Sequence, residues 1–221
     1  MSLDARIPDH LPGARSVLDA ACGFAPQATG LARLGYRVVG TDISKGEIER
    51  ARHEAERLGV EATFAVADFR DLTGVEGQFD VVISCDNAVP HLLDTADVPK
   101  ALTQMHEKLL PGGLLVITMR DFDEALKEKP QIARPVIVAG PPRRVLVRLH
   151  DWDEDQPCYT VRYLVLTDSE AGWGVAEHTT RYRATTGAEL RAAPAPGGLA
   201  AGRGPGGRRV YGHRESRRGA V

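Results

Sequence analysis

The sequence predicts an α/β fold with a doubly wound, mostly parallel sheet. Short apolar runs rich in Val, Leu and Ile alternate with helix-like stretches over the first 120 residues. Such continuous runs are typical of parallel strands covered on both faces. A loop of small residues follows the first run, and an acid, Asp42, ends the second. This alternation indicates consecutive βαβ units in an open sheet.

The predicted elements follow one another with short connections. Strands are expected at 16–19, 37–41, 62–66, 79–84 and 114–119, and helices at 27–34, 44–58 and 98–109. The second helix has the clearest ends. Ser44 is its N-cap, Glu47 completes a capping box three residues later, and Gly59 stops it.

The pattern changes after Asp123. The runs 143–150, 159–167 and 173–182 look like strands joined by polar turns, so an antiparallel insert is expected at about 130–183. From Pro194 the chain is rich in Gly, Ala, Pro and Arg, and its few apolar residues have no period. The sequence therefore predicts one domain over 1–193 and a low-complexity, disordered tail over 194–221.

The composition fits an ordinary globular protein. The 221 residues carry a formal net charge of -2, which gives no general attraction to nucleic acid or to membranes. Three widely spaced cysteines, Cys22, Cys85 and Cys158, form neither a disulfide framework nor a zinc pattern. No leader and no membrane-length apolar run is recognisable. We therefore expect a cytoplasmic protein without a metal, a membrane partner or a nucleic-acid partner; the oligomeric state stays open.

Four candidate elements fall at the carboxyl ends of successive strands, where open α/β sheets bind ligands. They are the loop 19–25, Asp42-Ile43, Asp68-Phe69 and the segment 84–92. Small residues in the first loop allow close approach of a ligand to the backbone. Asp42 is placed to bind ribose hydroxyls. Ile43 and Phe69 offer apolar faces to a purine, and Asp68 can bind its exocyclic amine. These features predict a nucleoside-containing cofactor.

In this order, the elements resemble those of class I S-adenosylmethionine-dependent methyltransferases. The similar segments are Asp19-Ala20-Ala21-Cys22-Gly23, Gly40-Thr41-Asp42-Ile43-Ser44, Ala67-Asp68-Phe69, Phe79-Asp80-Val81-Val82 and Leu110-Pro111-Gly112-Gly113, within about residues 15–120. The segments 85–92 and 119–123, together with 151–153 and 180–184, are similar to the glycine/sarcosine N-methyltransferase group. The resemblance implies a Rossmann-like methyltransferase domain over 1–193, S-adenosyl-L-methionine as cofactor and a small-molecule substrate.

The resemblance also implies roles in the cofactor site. Gly23 would lie at the methionine end of the cofactor, Asp42 would hold the ribose, and Asp68 would bind the adenine amine. Asp19, Ile43 and Phe69 complete the predicted set of cofactor-binding residues.

The acceptor side is predicted from three further residues. The resemblance implies that Asn87 and His91 line the junction of cofactor and acceptor, as the candidate catalytic residues, and that Arg120 binds an acceptor carboxylate. A guanidinium at a strand end can also be argued to grip a carboxylate through two parallel hydrogen bonds. The alternatives stay open: an Arg120 paired with a neighbouring acid, a His91 bound by backbone, and an Asn87 that caps a turn.

The predicted function is methyl transfer to a small molecule, with the amine of glycine, sarcosine or a similar amino acid as the favoured acceptor. A nicotinamide dinucleotide oxidoreductase is one alternative, because it too would use a glycine loop and an acid after the second strand. A cofactor-binding but inactive relative is another. It is suggested by Ala25 where the loop more often has glycine, by a short N-terminal segment, and by the tail where two final strands are expected.

Overall fold

The computed structural model describes Ile7, residues 11–193, and the backbone of 200–203 and 208–214. These residues form two compact units. The first lies within Met1–Val89, Asp94–Arg120 and Gly187–Val221. The second consists of Pro90–Leu93 and Asp121–Thr186.

The first unit is built on a seven-stranded sheet of order β10-β11-β5-β4-β1-β2-β3. Its strands are β1 (Ser16–Asp19), β2 (Arg37–Asp42), β3 (Thr63–Val66), β4 (Phe79–Ser84), β5 (Leu109–Arg120), β10 (Ala200–Arg203) and β11 (Arg208–Arg214). Strands β1 to β5 run parallel, and β11 pairs antiparallel with β5. The predicted doubly wound, mostly parallel sheet is therefore confirmed.

Helices connect these strands, as the alternating pattern predicts. They are α1 (Pro26–Arg33), α2 (Lys45–Leu58), α3 (Asp97–Glu107) and α5 (Gly187–Ala192), with a 3₁₀ turn at Val89–His91. At the start of α2, the Ser44 hydroxyl accepts a hydrogen bond from the amide of Glu47. Gly59 ends the helix with a φ of 63°, a conformation that glycine adopts without a steric cost. Both predicted ends of α2 are confirmed.

The core of the first unit comes from the apolar strand runs. Val17, Val81 and Ile83 are fully buried on the central strands β1 and β4. Close packing also explains one glycine. A Cβ on Gly40 would lie 2.7 Å from the Phe64 ring, so the approach of this ring to β2 requires glycine.

Asp80 joins the amino-terminal ends of β4 and β1. Its Oδ2 atom accepts hydrogen bonds from the amides of Arg15 and Ser16, both at 2.9 Å, and from the Ser16 hydroxyl at 2.8 Å. The same hydroxyl accepts from the Asp80 amide at 3.0 Å. Burial by itself would raise the pKa of Asp80, but these hydrogen bonds outweigh it and hold the pKa below its usual value.

The second unit is a four-stranded antiparallel sheet with a short helix before it. Its elements are α4 (Phe122–Glu128), β6 (Ile132–Val138), β7 (Arg144–Trp152), β8 (Cys158–Ser169) and β9 (Gly172–Arg183), paired in sequence order. The predicted antiparallel insert is confirmed. The sequence analysis missed β6, because Pro135 interrupts its apolar run and its register with β7 is irregular.

The end of the chain differs from expectation. Disorder is predicted for 194–221, but the strands β10 and β11 lie within that segment. They pair with each other, and β11 pairs with β5 over Arg208↔Arg120 to Arg214↔Leu114. Backbone hydrogen bonds to an existing sheet edge need no hydrophobic period, which is why composition misses them. The rest of 194–221 lies outside the described residues, so its disorder stays a prediction.

We expect Asp80→Ala to lower the free energy of unfolding by about 1.5–3 kcal/mol at pH 7, because three donors lose a charged acceptor. Since the folded pKa of Asp80 is lowered, its contribution is present above the ordinary aspartate pKa and is lost as the pH falls through the folded value. Urea unfolding at pH 7 and in acid measures both effects. Asp155→Ala, at an exposed turn, is the matched control. Equal unfolding midpoints for Asp80→Ala and wild type at pH 7 would contradict this role.

Candidate cofactor and acceptor site

The carboxyl ends of β1, β2 and β4 meet at one edge of the first unit's sheet. Asp19, the last residue of β1, is in register with Gly40 of β2 and with Ile83 of β4. The parallel order β4-β1-β2-β3 brings the loops that follow these strands side by side. Open α/β sheets bind ligands at this edge. The predicted cofactor residues therefore lie where a fold of this class is expected to bind a ligand.

Asp42 fastens the loop after β1 to the end of β2. Its Oδ2 accepts from the amide of Gly23 at 2.9 Å, and its Oδ1 accepts from the amide of Ser44 at 2.9 Å. These two bonds fix the plane of the carboxylate and leave further lone pairs for a ligand hydroxyl. Gly23 has a φ of 54°, and a Cβ built there would meet no atom within 4 Å. The backbone of Gly23 is therefore open to close approach.

Asp19 is the most unusual residue at this edge. It is 1% exposed, and neither carboxylate oxygen has a hydrogen-bond partner among the described residues. Burial raises the pKa of Asp19 to about 7; the backbone amide of Ala21 offsets part of this rise, and the carboxylates of Asp42 and Asp86 add to it. An uncompensated buried carboxylate is costly, so a cationic or hydrogen-donating ligand group would relieve this cost.

The same environment makes Cys22 unreactive. Burial and the nearby carboxylates of Asp19 and Asp42 raise the pKa of its thiol far above the usual value. A thiol held in the protonated form is neither a nucleophile nor a metal ligand. Cys22 is therefore a small buried packing residue without a chemical role.

The loop after β1 carries a strained residue. Ala25, the N-cap of α1, has φ 67° and ψ 39°, in the left-handed region. This conformation costs an alanine roughly 1 kcal/mol more than a glycine. The finding gives a physical reason why glycine would suit this position, as the resemblance suggested.

Asp68 has a strong partner that the sequence analysis did not predict. Its carboxylate accepts from Nε and Nη2 of Arg70, the latter at 2.6 Å, and from the Arg70 amide. Hydrogen bonding to Arg70 lowers the pKa of Asp68. Arg70 also binds Asp97, at 2.6 Å. An adenine amine would have to share the Asp68 carboxylate with this guanidinium.

The two predicted apolar contacts differ in exposure. Ile43 is 66% exposed at the end of β2, and Phe69 is half-buried. A backbone hydrogen bond from the amide of Ala67 to the carbonyl of Asp42 holds their segments together. A flat apolar ligand can therefore contact Ile43 without rearrangement of the core.

Asn87 links the loop after β4 to the end of β5. Asp86 and Asn87 both have positive φ, 58° and 70°, which Asn and Asp tolerate better than other residues. The Asn87 side-chain oxygen accepts from the amide of Arg120 at 2.6 Å, and its own amide donates to the carbonyl of Thr118. Asn87 thus holds the backbone at Arg120, and the guanidinium of Arg120 makes no ion pair among the described residues.

His91 belongs to the second unit, where it contacts aromatic rings. Its ring centroid is 4.4 Å from that of Tyr182. Tyr182, Tyr159 and Trp152 lie opposite one another on β9, β8 and β7, and the last two rings stack at 4.4 Å. Burial raises the pKa of Tyr182 well above its usual value, and its hydroxyl is 3.4 Å from that of Tyr163. The sequence analysis missed this cluster, although the alternate residues of the predicted strands could have indicated it.

The described residues fit S-adenosylmethionine. The cofactor carries a ribose diol, which suits the oriented carboxylate of Asp42, and an ammonium group, which suits the unpartnered carboxylate of Asp19. Gly23 leaves room beside both acids. Both the buried carboxyl group of Asp19 and the open backbone at Gly23 would gain contacts from such a ligand.

The chain is similar in sequence to known methyltransferases. Residues 17–113 match the family model of the methyltransferase domain. The chain is 34% identical over 116 residues to the glycine/sarcosine N-methyltransferase of Parasynechococcus marenigrum, a match that covers 52% of this chain and 41% of that protein. It is 30% identical over 154 residues to the ubiquinone biosynthesis O-methyltransferase of Methylocella silvestris, covering 67% and 55%. The chain thus spans about half the length of these relatives.

Solved structures support the fold. An S-adenosylmethionine-dependent methyltransferase from Clostridium acetobutylicum superposes with a TM-score of 0.79 at 12% identity, over 97% of this chain and 89% of that one. The SAM-bound amino pentose methyltransferase CalS10 from Micromonospora echinaspora gives 0.79 at 20% identity, over 96% and 88%. Residues 17–113 are thus similar to a methyltransferase domain, and the fold is that of solved S-adenosylmethionine-dependent methyltransferases. Within the described residues, no helix has the length and apolar character needed to cross a membrane.

We expect Ala25→Gly to raise the free energy of unfolding by about 0.5–1 kcal/mol, because glycine adopts the left-handed conformation of the N-cap without strain. Ala32→Gly is the matched control inside α1, and it should lower stability by roughly 1 kcal/mol. Thermal and urea unfolding measure both. A loss of stability in Ala25→Gly equal to that in the control would show that the position is not strained.

Asp19→Asn should make the ligand-free protein more stable at pH 8, by on the order of 2–4 kcal/mol. The folded pKa of Asp19 is raised, so the stability that its neutral form contributes is fully present below the ordinary aspartate pKa. That contribution is lost as the pH rises to about 7, whereas an asparagine does not titrate. Urea unfolding of both proteins from pH 5 to 8.5 measures the difference. An advantage of the variant that stays constant over this range would refute the titration of Asp19.

Proposed function

We propose that this chain transfers a methyl group from S-adenosylmethionine to the amine of a small, carboxylate-bearing acceptor, namely glycine, sarcosine or a similar amino acid. The observation that carries the proposal is Arg120. Its backbone is fixed by Asn87 at the end of β5, and its guanidinium has no ion pair among the described residues. The similarity to glycine/sarcosine N-methyltransferases supports the same acceptor class.

The cofactor residues would act by binding and orientation. Asp42 would hold the ribose hydroxyls, with its carboxylate already set by the amides of Gly23 and Ser44. Gly23 would allow close approach at the methionine end, next to Asp19. Ile43 and Phe69 would contact the purine, and Asp68 would bind its exocyclic amine beside Arg70.

When bound, S-adenosylmethionine supplies a methyl group that its sulfonium already activates for displacement. The protein then needs to align a neutral amine with that methyl group. Arg120 would orient the acceptor by its carboxylate, through two parallel hydrogen bonds. Asn87 would set the position of Arg120 through the bond to its amide. His91 stays the second proposed catalytic residue, as the resemblance implies; within the second unit its ring contacts that of Tyr182.

O-methylation is the second candidate. It is favoured by the longest of the matches to a relative given above, a ubiquinone biosynthesis O-methyltransferase aligned over 154 residues. The acceptor of an O-methyltransferase offers an oxygen atom in place of an amine. The two candidates differ in whether the acceptor needs a carboxylate, which makes Arg120 the residue that separates them. A nicotinamide oxidoreductase, the other enzyme class considered from the sequence, has no support in the relatives reported above.

We expect S-adenosylhomocysteine to form when the protein is incubated with S-adenosylmethionine and either glycine or sarcosine. Arg120→Lys should reduce the rate tenfold or more, since each 1.4 kcal/mol lost is about tenfold and lysine cannot replace the two-pronged geometry. Cofactor affinity, measured by calorimetry, should stay the same. Product formation quantified by mass spectrometry gives both rate and acceptor.

Arg33→Lys, an exposed residue at the end of α1, is the matched control and should leave the rate unchanged. Equal rates for wild type and Arg120→Lys on glycine would remove Arg120 from acceptor binding. Methylation of a catechol with none of glycine or sarcosine would replace the N-methyltransferase proposal by O-methylation.

A further inference from the structure

Asp19 poses a problem that cofactor binding alone does not explain. A carboxylate that is 1% exposed and lacks any hydrogen-bond partner among the described residues is stable only if it is neutral or compensated. Among the described residues, the charged groups that act on it are Asp42 and Asp86, both of them acids. Cys22, which also lies near it, stays a neutral thiol. The described part of the chain therefore supplies three acids and no neutralising cation at this point.

The three acids are held in different ways. Asp42 accepts from two backbone amides, and Asp86 accepts from the side-chain amide of Gln27 at 2.6 Å. Both have donors that compensate a negative charge. Asp19 has only partial compensation, from the backbone amide of Ala21, and it is the most buried of the three. The cheapest way to reduce the repulsion is to keep the proton on Asp19.

We propose that Asp19 is the neutral acid in the free protein and that it releases its proton when a ligand places a cationic group beside it. The inference rests on the proposed function, because the cation it requires is the ammonium group at the methionine end of the cofactor. Binding then exchanges a proton on Asp19 for an ammonium group, with no net change in the charge of the site. Ligand affinity consequently depends on pH and on the presence of that ammonium group.

This exchange makes Asp19 a specificity-determining residue. A ligand with the ammonium group gains an ion pair once the proton has left. A ligand that has the same adenosine and thioether but no amino-acid end, such as 5′-methylthioadenosine, leaves the proton in place. The protein thus selects for the amino-acid end of the cofactor most strongly above neutral pH.

Isothermal titration calorimetry tests the exchange directly. S-Adenosylhomocysteine and 5′-methylthioadenosine are titrated into the full chain at pH 6, 7 and 8, in two buffers with different heats of ionisation. The buffer dependence of the heat gives the number of protons released. S-Adenosylhomocysteine should release close to one proton at pH 6, and its affinity should rise about tenfold between pH 6 and pH 8. 5′-Methylthioadenosine should release none and bind equally at each pH.

Two variants separate Asp19 from other acids. Asp19→Asn should bind S-adenosylhomocysteine without proton release and without the rise in affinity with pH. Asp80→Asn is the matched control, since Asp80 lies at the amino-terminal ends of β1 and β4, and it should keep the release. ¹³C NMR of the aspartate carboxyl groups reads the protonation of Asp19 in the free protein without any ligand.

The failures are distinguishable. Binding of S-adenosylhomocysteine with no proton release at pH 6, or release that persists in Asp19→Asn, overturns this inference and leaves the proposed function intact. If neither ligand binds a folded sample, the proposed function fails, and the inference fails with it.

Discussion

The described ligand edge depends on one buried carboxyl group. Asp19 ends β1 in the middle of the sheet, between β2 and β4, where it is 1% exposed and no side-chain donor of the described residues binds its oxygens. Water-free burial of a carboxylate costs more than any single hydrogen bond in the domain contributes. A costly buried group of this kind is typical of ligand-binding sites, where stability is given up for binding.

Around Asp19, the backbone is fixed by short polar contacts between strand ends. Asp42 binds the amide of Gly23 and thereby holds the first loop against β2. Asn87 binds the amide of Arg120 and holds the loop after β4 against β5. At the opposite end of the strands, Asp80 binds the start of β1. Because each contact joins residues far apart in sequence, the loops are positioned before any ligand arrives.

Left-handed backbone conformations occur at the same edge. Ala25, Asp86 and Asn87 have positive φ in the loops after β1 and β4. Such conformations cost free energy and persist only where the surrounding structure enforces them. Their position in two loops of the ligand edge, together with the burial of Asp19, indicates that strain is concentrated where the cofactor is expected to bind.

The sequence by itself determined the order of β1 to β5 and the ligand edge, because small-residue loops, strand-end acids and helix caps are local signals. It determined the antiparallel character of β7 to β9 by the same kind of signal. Tertiary structure alone decided that Arg70 joins Asp68 to Asp97, that Asn87 holds Arg120, and that β11 pairs with β5. Sequence spacing does not encode these contacts. Only the folded chain brings these donors to their acceptors, and only the folded chain buries Asp19 without a side-chain donor among the described residues.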